Sequence, residues 1–159
     1  MQKIDETFIE EHVQRGIDLF RQGYNCTQAV TLAMADIYDV PQDLMARMSA
    51  SFGGGIGRMR ETCGTASGMF IMAGLEIATP YPDRSVKAEN YAAVQRLAAD
   101  FKAQAGSLIC RELLKGVAKD DTHIPEVRTE EYYKRRPCLR MVELAIRTYL
   151  NWLAERRLG

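Results

Sequence analysis

Cys26, Cys63, Cys110 and Cys138 are the residues of this 159-residue chain whose chemistry stands out. Their number is even, but the chain is not short and opens on an acidic segment with no apolar signal core. Metal binding or thiol redox chemistry is therefore a stronger reading than a structural disulfide framework. The four stand tens of residues apart. That spacing lacks the CxxC pair of a compact redox site and the short loops that wrap zinc or a cluster. A free cysteine also serves as a small buried hydrophobe, so position has to discriminate.

Each cysteine is expected in the first turn of a helix. Cys26 follows the cap Asn25, Cys63 follows the cap Thr62, Cys110 lies three residues past the cap Ser107, and Cys138 follows Pro137. A helix start presents unpaired N–H groups and the positive end of the macrodipole, both of which favour a thiolate. A core-filling cysteine has no reason to prefer that position. Ahead of Cys63 runs Phe52-Gly-Gly-Gly-Ile-Gly-Arg-Met-Arg. Gly54, Gly55 and Gly57 would let the backbone approach a ligand. Arg58 and Arg60 would stabilise a Cys63 thiolate, and Gly64 would keep the space beside it open. The competing reading is a helix connector with solvated arginines. A helix rather than a strand precedes the run, so it is not a dinucleotide-binding fingerprint.

The elements that must hold these residues are helical throughout. Helices are expected at residues 5–22, from 25, from 41 into the glycine run, at 62–78, at 84–104, in a short piece after 107, and at 137–157. The 62–78 segment is apolar nearly all round and reads as the central helix. Residues 117–136 read as a long crossover loop that could return the chain so that all four helix starts meet at one end. The whole is expected to be an all-α, single-domain bundle of six or seven helices over residues 1–159. His12, His123 and the run Lys134 to Arg136 read as solvated side chains.

Equal numbers of basic and acidic residues, 21 each, argue against a general nucleic-acid surface. No apolar run reaches the ~20 residues of a membrane span, so a cytoplasmic protein without membrane insertion is expected.

Taken in order, Tyr24-Asn-Cys-Thr-Gln-Ala-Val, Phe52-Gly-Gly-Gly-Ile-Gly-Arg, Cys63-Gly-Thr-Ala-Ser-Gly, Gly106-Ser-Leu-Ile-Cys-Arg-Glu-Leu and Cys138 resemble the C_GCAxxG_C_C family. Its members are small bacterial or archaeal proteins with four characteristic cysteines, described as redox-active and often encoded near transporter genes. The resemblance implies that Cys26, Cys63, Cys110 and Cys138 are those cysteines and that Gly64 and Gly68 belong to its CGAxxG element, with Thr65 in place of the alanine.

Three functions follow as expectations. In the first, the cysteines perform dithiol–disulfide exchange or electron transfer with a redox partner, for which the resemblance suggests a transporter-associated protein. Cys63 attacks with help from Arg58 or Arg60, and one of Cys26, Cys110 or Cys138 resolves. In the second, the same four thiols ligate an iron–sulfur cluster or zinc. In the third, the chain is a helical adaptor near a transporter. A homodimer is compatible with all three.

Overall fold

A computed structural model describes residues 2–117 and 120–159. Among the described residues there are eight α-helices and no strand. They are α1 (Glu6–Arg21), α2 (Cys26–Met34), α3 (Gln42–Ser49), α4 (Gly64–Ile77), α5 (Arg84–Ala105), α6 (Cys110–Leu114), α7 (Glu130–Arg135) and α8 (Cys138–Leu158). Short 3-10 turns follow α2 and α3.

Local chemistry accounts for most boundaries. Asp5 caps α1 by accepting from the Phe8 N–H. Asn25 and Gln28 close a complete capping box at the start of α2, which satisfies N–H groups otherwise left without partners. Asp83 caps α5, and Gly106, in the left-handed region at φ 93°, ends it. The apolar character of α4 places it centrally, packed against α2, α5 and α8, while α1 packs on α2 and α8. Fully buried Met69 and Met72 of α4 meet a core that holds Leu97, Phe101, Ile146, Leu150 and Leu153.

Two expectations are corrected. The segment read as loop over 117–136 contains α7; residues 118 and 119 of that stretch lie outside the described residues. Six residues are too few for a periodic stripe, but Thr129 caps this helix through the Tyr132 N–H, and acidic residues open it while basic ones close it. His12 is not a surface side chain. It is 2% exposed, stacks on Phe8, and its Nδ1 donates to the Phe8 carbonyl at 2.8 Å. Its Nε2 faces the Asp36 carboxylate at 3.3 Å. The acidic neighbours Glu10 and Glu11 are exposed, but position 12 falls on the same stripe as Phe8 and Ile9. No helix of the described residues is long and apolar enough to cross a membrane.

Candidate functional site

Cys26, Cys110 and Cys138 are the first residues of α2, α6 and α8. Cys63 is itself the N-cap of α4 rather than the residue after a cap, because Thr62 is engaged elsewhere, in an antiparallel bridge with Ile109. The four, separated along the chain, line one cavity of about 420 Å³. All are free thiols, Cys63 and Cys110 buried, Cys26 and Cys138 half-buried.

The glycine run builds one wall. Residues 54 to 58 all have positive φ, from 56° at Gly57 to 74° at Gly55, and Arg60 follows at 63°. The chain winds here as a left-handed coil closed by its own hydrogen bonds: Ile56 N–H to Phe52 O, Gly57 N–H to Ser51 O, and Glu61 N–H to Gly55 O at 2.9 Å. Glycine accepts this conformation freely. Ile56, Arg58 and Arg60 do not, at a cost of roughly 1–2 kcal/mol each. Gly55 is required for a second reason, since a Cβ there would stand 2.7 Å from the Cys110 Cβ. The coil is thus a defined structure and not an ordinary connector. Gly54, Gly57, Arg58, Arg60 and Gly64 line the cavity, while Gly55 packs behind Cys110.

Beyond the coil the chain runs extended. The Cys63 N–H donates to Leu108 O, and the Cys110 N–H donates to Glu61 O, each at 2.7 Å. Cys63 and Cys110 therefore sit diagonally on one side of a two-residue ladder. Cys26 Sγ lies against the first residue of α4. A Cβ on Gly64 would overlap it and would stand 2.5 Å from Thr27 Oγ1.

Burial governs the thiols. It pushes Cys63 up to about 12, and the charge of Cys26 adds to the effect, against a 3.1 Å contact with Thr65 Oγ1. Cys138 is also pushed up to about 12, by burial first and then by the charges of Cys26 and Cys63. Cys110 is raised by burial, with Arg60 and Arg136 pulling the other way. Each of these three thiols is also raised by the charge of Cys26.

The expected support of Cys63 by Arg58 and Arg60 is not found. Arg60 Nη1 points to Cys110 Sγ at 3.9 Å. Arg58 reaches Asp120 at 3.2 Å and the carbonyls of Thr122 and Ile124. The left-handed backbone at both positions carries their side chains away from Cys63. They instead hold residues 120–124 of the long connection beside the cavity, where His123, Pro125 and Glu126 join the lining.

Two cavity residues escape sequence reasoning. Arg136, read as part of a solvated run, is 8% exposed. It pairs with Glu126 at 3.0 Å and lies over the Tyr132 ring; its place just before Pro137 and Cys138 was the available signal. Arg128 lies 4.1 Å from the Phe20 ring centre and donates to the carbonyls of Phe20 and Tyr24, and nothing local in the sequence announces it.

Among the described residues no group of three or more His, Cys, Asp or Glu is arranged to hold a metal ion.

The sequence profile of a family described as "Putative redox-active protein (C_GCAxxG_C_C)" matches residues 24–151, a span that contains all four cysteines. No curated protein and no solved structure matches the chain significantly.

Proposed function

The chain belongs to the C_GCAxxG_C_C family, and we propose that it performs dithiol–disulfide exchange with Cys26 and Cys63 as the exchanging pair. The observation that carries this reading is that four free thiols line one cavity, with Cys26 Sγ seated against the residue next to Cys63. Cys26 is half-buried and opens α2, a helix of nine residues with a complete capping box, so it is the more accessible sulfur of the pair. Cys26 is the attacking thiol and Cys63, which is sealed and strongly raised, resolves. This reverses the roles expected from the sequence.

In the exchange, Cys26 sulfur bonds to one sulfur of a substrate disulfide. The other substrate sulfur leaves as a thiolate and takes up a proton. Cys63 then loses its proton and attacks the Cys26 sulfur. The second substrate thiolate leaves, and a Cys26–Cys63 disulfide remains. Two electrons pass from the protein to the substrate, and two protons accompany the two thiols released. Cys110 and Cys138 form the second dithiol at the same cavity. A cytoplasmic location suits this role, since thiols remain reduced there.

The test is oxidation of the reduced, full-length protein with one equivalent of diamide, followed by thiol counting and peptide mapping. Loss of two thiols with Cys26 linked to Cys63 is expected. Four unreactive thiols, or stoichiometric iron or zinc masking all four in anaerobically purified protein, would overturn the proposal.

A further inference from the structure

The cysteine cavity is lined by four arginines, Arg58, Arg60, Arg128 and Arg136, against one carboxylate, Glu126. Arg60 is 3% exposed and Arg136 8%. A buried guanidinium is costly unless it is paired and hydrogen-bonded, and here the pairing is incomplete. The Nε of each is buried without a hydrogen-bond partner. Asp121 comes only within 3.6 Å of Arg60 Nε, and it also pairs with the exposed Arg111 at 2.8 Å. Glu126, the partner of Arg136, is shared with Arg135 at 3.2 Å. The remaining wall includes Phe20, Leu113, Leu114 and Met141. The volume, about 420 Å³, is that of a small-molecule site.

We infer that the substrate of this site is an anionic low-molecular-weight disulfide, its carboxylates held by Arg60 and Arg136 while its sulfur pair meets Cys26. The inference rests on the dithiol reading above and names the substrate class for it. Guanidinium forks match carboxylates in two-point contact, and the apolar wall suits the short carbon arms between carboxylate and sulfur. The electron and proton balance is that already given. The disulfide gains two electrons and leaves as two carboxylate-bearing thiols, each with one proton.

The experiment follows oxidation of the reduced, full-length protein by three small disulfides. Dithiodipropionate carries two carboxylates, hydroxyethyl disulfide is neutral, and cystamine carries two ammonium groups. Each rate is divided by the rate of the same disulfide with N-acetylcysteamine, a thiol with no other charged group, which removes intrinsic reactivity. The normalised rate for dithiodipropionate should exceed that of the neutral disulfide by about tenfold or more. The preference should shrink in about 1 M salt, where charges are screened within a few ångströms. In Arg136→Gln the anionic-to-neutral ratio should fall several-fold; the ratio cancels any change in thiol nucleophilicity. If that variant does not fold, the salt dependence of the unaltered protein carries the test. A normalised ratio near one, or a preference for cystamine, overturns the substrate assignment and leaves dithiol exchange standing. If none of the three oxidises the protein, the dithiol reading itself falls, and this inference with it.

Discussion

Two glycines on α4 should respond to alanine with opposite signs. At Gly74 an added Cβ meets nothing within 4 Å, and the position lies well inside α4. Alanine there gains up to about 1 kcal/mol of helix propensity. Gly64 opens the same helix, where the propensity gain is smaller because the first residue is half outside the hydrogen-bond ladder. Its new Cβ would overlap Cys26 Sγ, stand 2.5 Å from Thr27 Oγ1 and 3.0 Å from the Phe52 carbonyl oxygen. The sulfur can rotate. Thr27 is fully buried and the carbonyl belongs to the backbone, so neither yields cheaply. Overpacking of this kind costs about 1–3 kcal/mol, which exceeds the gain. Gly64→Ala should therefore lose roughly 1–2 kcal/mol while Gly74→Ala gains, measured by urea unfolding of both variants under reducing conditions at neutral pH. Any relief obtained by turning Cys26 Sγ away should also slow formation of the Cys26–Cys63 disulfide. A Gly64→Ala protein as stable as the parent, forming that disulfide at the parent rate, would show that Cys26 is not seated against α4. The pairing argument would go with it.

Alkaline pH should expose the buried thiols. Cys63 and Cys138 move from an ordinary 9.0 to about 12 on folding, so above pH 9 the unfolded chain sheds protons that the folded chain keeps. Stability is thus full below about pH 9 and declines between 9 and 12, by about 1.4 kcal/mol per pH unit for each thiol. The double variant Cys63→Ser/Cys138→Ser should flatten that decline in urea titrations, and equal slopes would contradict it. Arg60→Gln should raise the Cys110 thiol further, because Arg60 is the largest influence opposing its burial. Its alkylation midpoint, read residue by residue from pH–rate profiles in a mass spectrometer, should move up while that of Cys138 moves less. An unmoved Cys110 midpoint would sink that assignment.

The bundle was legible because its long helices advertise themselves. Asp5, Asn25 and Asp83 cap them and Gly106 ends one, and these signals act within a few residues of where they stand. The position of the cysteines at helix starts was legible for the same reason. What misled were features settled by distant partners. Thr62 looked like a cap, but the bridge to Ile109 fixes its backbone and passes the N-cap position to Cys63. Arg60 is near Cys63 in sequence, yet the left-handed coil and the same ladder bring it to Cys110. His12 and Arg136 sit among charged neighbours, and only the packing of other elements over them decides that they are buried. Local chemistry therefore places the sulfurs at helix starts, while nonlocal pairing decides which charge each sulfur meets.

That division bears on how the exchange is ordered. Three thiols are held up by burial, and the charge of Cys26 is a further reason in every case. In the proposed reaction, attack by Cys26 turns its sulfur into a neutral mixed disulfide. The Coulombic obstacle to ionising Cys63 disappears at that moment, and only the burial penalty remains. Cys63 thus becomes easier to ionise at the step where its thiolate is needed. Arg136 acts the opposite way on Cys110 and Cys138, since its charge opposes the effect of burial on both. The consequence is measurable in Cys26→Ser, where the charge at position 26 is gone from the start. Alkylation of Cys63 should then begin at lower pH than in the parent, although the protein has lost its attacking thiol. A Cys63 profile that does not move, or moves to higher pH, would mean that the sulfurs do not share charge across the cavity.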